Sequence, residues 1–166
     1  MMYMPIQLNT EINIDKIVTV NYFEYERDFA FSGEMHDFWE VIYSDKDYLS
    51  VTVRSRECIV PPGHFRIISP MELHSVKPAY GKAANAVIFS FVCSNEKLLK
   101  SAGKTIPCDN EKKEYITEFI KALGELETQM KINTVTLSDS FSIKMLCGGA
   151  YRVLFGKADE LSVKMH

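Results

Sequence analysis

The feature that most constrains the fold is a series of short runs rich in Val, Ile, Phe and Tyr, separated by turn signals, between residues 18 and 92. Runs of this length and spacing predict an antiparallel β-sandwich or a small β-barrel. Pro61-Pro62-Gly63 is a strong breaker, because proline fixes φ and glycine supplies the unusual dihedrals of a turn. The predicted strands cover residues 18–27, 36–43, 48–54, 58–60, 65–68, 73–77 and 85–92.

The pattern changes after residue 107, where apolar residues recur at helical spacing. One helix is predicted within residues 111–131. A second begins at Ser138, an N-cap residue, and ends near Gly156. A short loop between them predicts an antiparallel pair. We therefore expect a single domain over residues 1–166, made of a barrel (15–93), a connection (94–110), a helix pair (111–156) and a tail (157–166).

Composition and charge narrow the setting. The net charge of -3 and the pI near 5.8, without a cluster of Lys or Arg, argue against a nucleic-acid-binding surface. The four cysteines are scattered and form no CxxC pair, which is typical of reduced thiols in the cytosol. Neither a membrane-spanning apolar stretch nor a signal peptide is visible in the sequence. We expect a cytoplasmic protein that does not contact membranes.

The polar residues best suited to binding or catalysis lie in two short segments, residues 33–40 and 63–74. If residues 36–43 form a strand, alternation places Glu34, His36, Phe38 and Glu40 on one face. Apolar residues on both faces of that strand predict that it is covered on both sides. A buried carboxylate needs a partner, so one interpretation of His36 and Glu40 is a hydrogen-bonded core pair. The other is a pair that orients a small polar ligand inside an apolar barrel.

The spacing in these segments resembles that of a known superfamily. His36 is followed after three residues by Glu40, and Gly63 is followed by a hydrophobic strand, Pro70 and then His74. In these motifs the chain is similar to cupins, and more closely to the sensor domains of AraC-type transcription regulators. The resemblance covers roughly residues 15–156. It implies a mainly β fold, in which an antiparallel, jelly-roll-like cupin barrel is followed by a C-terminal antiparallel helix pair.

The chain also departs from the metal-binding members of that superfamily. Glu34 stands where they carry the first of two histidines, Asp47 replaces a glycine, and His64 replaces an acidic residue. Two imidazoles and a carboxylate are an accepted ligand set for zinc or iron. His36, Glu40 and His74 therefore keep a divalent metal open as a cofactor, whereas the resemblance to AraC-type domains favours a protein without one.

The resemblance implies a small-molecule-sensing and dimerisation domain of an AraC-type regulator that lacks the DNA-binding helix-turn-helix part and is not an enzyme. Its effector, a sugar or another small polar molecule, would contact five residues. Homodimerisation would use the C-terminal helices, and this chain alone would not bind DNA. The predicted ligand-binding residues are Glu34, His36, Phe38, Glu40 and His74.

Two alternatives remain open from the sequence. The first is a small metal-dependent cupin enzyme, a dioxygenase or isomerase, with His36, Glu40 and His74 as metal ligands. The second is a purely structural dimerisation module without a pocket. The sequence contains no Ser–His–Asp or Cys–His pattern and no phosphate-cradling glycine loop, which argues against hydrolases and nucleotide-binding proteins.

Overall fold

The computed structural model describes residues 15–94, 96–110, 113–114, 116–118 and 120–121. Within these residues the chain forms antiparallel strands, one short 3₁₀ helix, Glu96–Lys100, and helical turns between residues 110 and 121. The strands are β1 (Lys16–Tyr25), β2 (Trp39–Lys46), β3 (Leu49–Val53), β4 (Arg56–Val60), β5 (His64–Ile68), β6 (His74–Pro78), β7 (Ala84–Val92) and β8 (Thr105–Pro107). The predicted turn at Pro61-Pro62-Gly63 separates β4 from β5, with Gly63 at φ 74°.

The strands are arranged in two sheets. Five form a sheet in the order β1-β7-β2-β5-β8, and three form a second sheet in the order β4-β3-β6. Each pairing within these sheets is antiparallel. The register of the central pair, β2 with β7, sets Glu40 opposite Ser90 and Ile42 opposite Ile88. The prediction of a mainly β, antiparallel fold is confirmed.

Apolar side chains alternate between two separate cores. On β2, Val41 and Tyr43 belong to a first cluster, whereas Ile42 belongs to a second cluster that joins residues of both sheets. The first cluster lies on the other face of the five-stranded sheet and includes Leu98 of the 3₁₀ helix and Ile116. The strand is thus buried on both faces, as its mixed pattern predicts, and its polar inward residue Glu40 lies on the side that faces the three-stranded sheet.

One predicted strand is wrong at its start. β2 begins at Trp39 instead of residue 36, so His36 and Phe38 precede the sheet. The physical reason is local: the His36 ring lies 2.9 Å from the carbonyl oxygen of Phe38, which closes a turn in place of extended backbone. Period-two alternation therefore does not explain how His36 reaches the side of Glu40.

The predicted connection over residues 94–110 has secondary structure of its own. It contains the 3₁₀ helix and β8, which pairs with β5 and extends the larger sheet. The described residues from 110 to 121 are helical, and Ile116 is buried against the first cluster. The rest of the predicted helix pair, 111–156, lies outside the described residues. In the described part of the chain no helix has the length and apolar character needed to cross a membrane.

Candidate functional site

Four ionisable side chains meet at one end of the space between the sheets. The potential ligand atoms of Glu34, His36, Glu40 and His74 all lie within 4.8 Å of one another. Glu40 lies near the start of β2 and is 4% exposed, and His74 begins β6 and is 3% exposed. Glu34 and His36 come from the segment that precedes β2. We call these four side chains the His/Glu group.

Backbone contacts hold this segment against β6. Glu34 and His74 form an isolated antiparallel bridge, in which each amide donates to the carbonyl of the other residue at 2.8 and 2.9 Å. Gly33 precedes the bridge at φ 105°, and a Cβ atom there would lie only 2.8 Å from the carbonyl oxygen of His74. Only glycine permits both this dihedral and this close approach. Gly33 therefore sets the distance between the two halves of the group.

The two imidazole rings are oriented by their own backbone. His36 Nδ1 lies 2.9 Å from the carbonyl oxygen of Phe38, and His74 Nδ1 lies 2.8 Å from that of Glu72. A carbonyl oxygen can only accept a hydrogen bond, so each Nδ1 carries the proton and donates it. In both rings Nε2 is consequently turned towards the carboxylate of Glu40, at 3.5 Å for His36 and 3.1 Å for His74.

The Glu40 carboxylate is stabilised by a chain of donors. His74 Nε2 meets Oε1, while the hydroxyl of Ser90 donates to Oε2 at 3.1 Å and that of Thr19 donates to Ser90 at 2.9 Å. Burial by itself lowers the pKa of His74. Hydrogen bonds to Glu40 and to the Glu72 carbonyl, with the negative charges of Glu40 and Glu34, outweigh that effect and raise the pKa above its ordinary value. His74 and Glu40 thus form a buried pair in which the carboxylate favours the protonated form of the imidazole.

His36 differs from His74 in having an unsatisfied nitrogen. Its Nε2 is buried and has no hydrogen-bond partner, because the nearby Glu40 oxygen at 3.5 Å is not aligned for one. The Nδ1 proton is already donated to Phe38, so a neutral His36 ring presents an unused lone pair at Nε2. An unsatisfied buried acceptor is costly, and a ligand that supplies a donor or a cation would relieve that cost.

A cavity of about 500 Å³ opens above the His/Glu group. Three rings along one wall are stacked, with centroid distances of 5.4 Å from Phe23 to Tyr25 and 4.5 Å from Tyr25 to Phe29. The described residues that line the cavity are Thr19, Asn21, Phe23, Glu24, Tyr25, Phe29, Phe31, Glu34, His36, Phe38, Glu40, Val76, Ile88 and Ser90.

Four of the five predicted ligand-binding residues line this cavity: Glu34, His36, Phe38 and Glu40. The Phe38 ring stacks on that of His36 at 3.9 Å. His74 is absent from the described lining and contacts Glu40 instead, so its place is to support the group from within the core.

The electrostatic field in the cavity is negative. The described lining contains the carboxylates of Glu24, Glu34 and Glu40 and neither lysine nor arginine. Burial raises the pKa of Tyr25 well above its ordinary value, and the negative charges of Glu40 and Glu34 raise it further. The pKa of Tyr25 is therefore raised by the same carboxylates that a ligand in the cavity would contact.

Sequence reasoning missed Ser90, which donates a hydrogen bond to Glu40, and Thr19, which donates one to Ser90. The hydroxyl of Ser90 is recognisable only once Ser90 is known to lie opposite Glu40 in the sheet. Its signal in the sequence is a polar residue set between two phenylalanines in the apolar part of β7.

The donor set of the His/Glu group fits a divalent cation. Two imidazole nitrogens and two carboxylates are available, the Nδ1 bonds fix both rings with Nε2 inward, and the unpartnered Nε2 of His36 is a free ligand atom. His36, Glu40 and His74 would hold the ion with Glu34 at its open side. Such an ion would supply Lewis-acid chemistry at the base of the cavity.

Fold and site together define a mainly β protein, with two antiparallel sheets and a His/Glu group at the base of an open cavity. No protein-family model matches the chain, and no curated protein sequence does. Solved structures with a similar fold include a cupin superfamily protein from Desulfitobacterium hafniense, with a TM-score of 0.43 and 9% identity. This match covers 48% of the present chain and 71% of the other.

Two further structures show the range of similar proteins. A mutant of the Bacillus subtilis oxalate decarboxylase OxdC has a TM-score of 0.41 and 14% identity, over 56% of this chain and 24% of that one. Fatty-acid-bound ToxT from Vibrio cholerae has a TM-score of 0.38 and 10% identity, over 53% of this chain and 32% of that one.

The prediction that the chain is not an enzyme is wrong as stated. The structure gathers two histidines and two carboxylates in a partly buried group, which is a chemically competent set for catalysis. The prediction came from the resemblance to AraC-type sensor domains. The missing first histidine argued against the enzyme alternative, but Glu34 lies within the same group and offers an oxygen ligand instead.

Replacing Glu40 tests the buried ion pair. Glu40→Ala leaves His74 buried without its partner, so we expect the free energy of unfolding to fall by about 3 to 5 kcal/mol in urea titrations. The matched control is Glu57→Gln, which removes a carboxylate paired with Lys77 at the surface and should change the midpoint little. Equal effects of the two variants would contradict the buried pair.

Proposed function

We propose that the chain is the small-molecule-sensing domain of an AraC-type transcription regulator, with its effector bound in the cavity above the His/Glu group. The observation that carries the proposal is the cavity itself. Its volume of about 500 Å³ lies in the range typical of small-molecule sites. Aromatic side chains line part of its wall, and the His/Glu group lies at its base, which is an arrangement that orients a small ligand.

The exposed aromatic residues at the cavity support this proposal. Phe23, Phe29 and Phe31 are 37%, 38% and 40% exposed, although each is a large apolar side chain. All three line the same cavity. A ligand that covers them removes apolar surface from water, which is favourable by about 25 cal/mol per Å². Clustered apolar exposure of this kind is a feature of binding sites.

The strands under the cavity offer a route from ligand to the rest of the chain. On β2 and β7, Glu40 and Ser90 face the cavity, and the adjacent Trp39 and Phe91 face the first apolar cluster. That cluster includes Ile116, from the helical residues that follow the sheet. We infer that the effector acts by favouring one arrangement of these strands, since a ligand shifts only an equilibrium between states that it binds differently. Dimerisation through helices within 111–156 belongs to the same proposal.

A cavity-filling variant tests the sensing function. Asn21 lines the cavity from an exposed position on β1. In a thermal-shift screen of sugars, polyols, small acids, amines and aromatic compounds, we expect at least one class to raise the melting temperature of the unmodified protein. Asn21→Trp should abolish that shift by occupying the space.

The matched control is Val18→Trp, which adds the same side chain to the same strand at an exposed position outside the described lining. It should keep the ligand-induced shift. A screen in which no class stabilises the protein, or in which the shift survives Asn21→Trp, would contradict the proposal.

A second candidate, a metal-dependent cupin enzyme, is favoured by one specific observation. His36 Nε2 is buried without a hydrogen-bond partner, within a group of four potential ligands. In this alternative the aromatic walls would position an organic substrate, and Glu34, the exposed member of the group, would stand beside the ion.

Metal titration separates the two candidates. If the enzyme candidate holds, chelator-treated protein should bind one equivalent of zinc or manganese. A concentration of metal 100 times the Kd should then stabilise the fold by about 2.7 kcal/mol. His36→Ala should weaken binding at least about tenfold, whereas His64→Ala, which removes a histidine outside the group, should not. Absence of binding would exclude the metal-dependent candidate and leave the sensing proposal untouched.

A further inference from the structure

We propose that the molecule bound in this cavity is an organic ammonium ion, an amine with an aromatic or otherwise apolar body. This inference rests on the proposed function, because it names the chemical class of the effector. It narrows the class of small polar ligands that the sequence indicates, and it excludes anionic effectors. The argument concerns the hydrogen-bonding capacity of the base, the charge of the lining and the chemistry of the walls.

The base of the cavity offers acceptors and lacks free donors among its described groups. His36 Nε2 is buried without a hydrogen-bond partner and belongs to a side chain that is 10% exposed. Glu34 presents a carboxylate at the open side of the group, and Glu40 Oε2 is reached by one hydroxyl donor, that of Ser90. An ammonium group has three donors and no acceptor, so it complements this base. A carboxylate or phosphate ligand would place acceptor against acceptor.

The charge of the group leads to the same class of ligand. Two carboxylates, Glu34 and Glu40, belong to this group, whose ligand atoms all lie within 4.8 Å of one another, and they concentrate negative charge at the base of the cavity. The described lining supplies no lysine or arginine to neutralise it. A monovalent organic cation would balance this charge, and a neutral sugar would leave it unbalanced.

The walls explain why the cation should be organic. Stacked rings of Phe23, Tyr25 and Phe29 follow one wall, and Phe38 stacks on His36 next to the base. Aromatic faces attract ammonium groups and also pack against an apolar body. A metal ion alone would use the acceptors at the base and leave the exposed rings of Phe23 and Phe29 uncovered.

Three probes that share a phenyl-alkyl body test the class of ligand. Isothermal titration of chelator-treated protein would use 2-phenylethylamine, 2-phenylethanol and 3-phenylpropionate as ammonium, hydroxyl and carboxylate forms. We expect the amine to bind at least about tenfold more tightly than the alcohol, since a hydrogen bond to a charged group contributes about 1.5 to 3 kcal/mol. The carboxylate should bind weakest.

A variant of Glu34, at the base of the cavity, tests whether the His/Glu group causes that selectivity. Glu34→Gln keeps the size of the side chain and removes its charge, so amine affinity should fall about tenfold while alcohol affinity stays unchanged. The matched control is Glu26→Gln, an exposed carboxylate outside the described lining, which should leave both affinities as they are.

The possible results distinguish this inference from the proposed function. Alcohol or carboxylate binding as tightly as the amine would overturn the ammonium assignment, and the cavity would remain a ligand site. Failure of all three probes, with another class stabilising the protein in the screen, would also overturn it. If no compound of any class binds, the proposed function fails as well. Amine selectivity that is lost in Glu34→Gln alone supports both.

Discussion

The structure of the site depends on keeping the carboxylate of Glu40 ionised inside the protein. A buried charge is costly unless it is paired and hydrogen-bonded. His74 supplies the opposite charge, Ser90 supplies a hydroxyl donor, and Thr19 orients Ser90. These partners come from β6, β7 and β1, so the carboxylate ties strands of both sheets together at one end of the fold.

The same arrangement leaves the second histidine available. Both rings donate Nδ1 to a backbone carbonyl two residues away, but only His74 satisfies its Nε2 on Glu40. His36 lines the cavity. Its Nε2 has no hydrogen-bond partner, and the Phe38 ring stacks on one face of its imidazole. The site therefore combines a hydrogen-bonded Glu40–His74 pair in the core with an incomplete coordination sphere at the cavity, where Nε2 of His36 has no partner. Either a metal ion or an ammonium group satisfies that sphere, and the aromatic walls favour the organic ligand.

Much of this could be predicted from residues near one another in sequence. Strand rhythm predicts the antiparallel fold, and the resemblance of the motifs at His36, Glu40 and His74 to those of cupins implies which residues meet. The start of β2 could not be predicted, because it depends on the ring of His36 closing on Phe38 and on the approach of Gly33 to His74. Period-two alternation placed His36 and Glu40 on one side correctly, but His36 precedes β2, so strand alternation is not what brings it there.

Other features depend on contacts between distant strands. Ser90 becomes part of the site only through the register of β2 with β7, and β8, with three residues, is too short to carry a periodic signal. The aromatic wall is another example. Phe23 is like a core residue in sequence, and it becomes cavity lining on β1, which lies at an edge of the larger sheet; Phe29 lines the same cavity from the segment after β1.

The protonation of the two imidazole rings tests the central claim most directly. Nitrogen chemical shifts of His36 and His74 can be measured by long-range proton–nitrogen correlation in metal-free protein, at a pH where the His36 ring is neutral. We predict Nδ1 protonated in both rings, Nε2 protonated in His74 and Nε2 bare in His36. A neutral His36 ring with its proton on Nε2, or a His74 ring that is neutral beside Glu40, would contradict this description of the site.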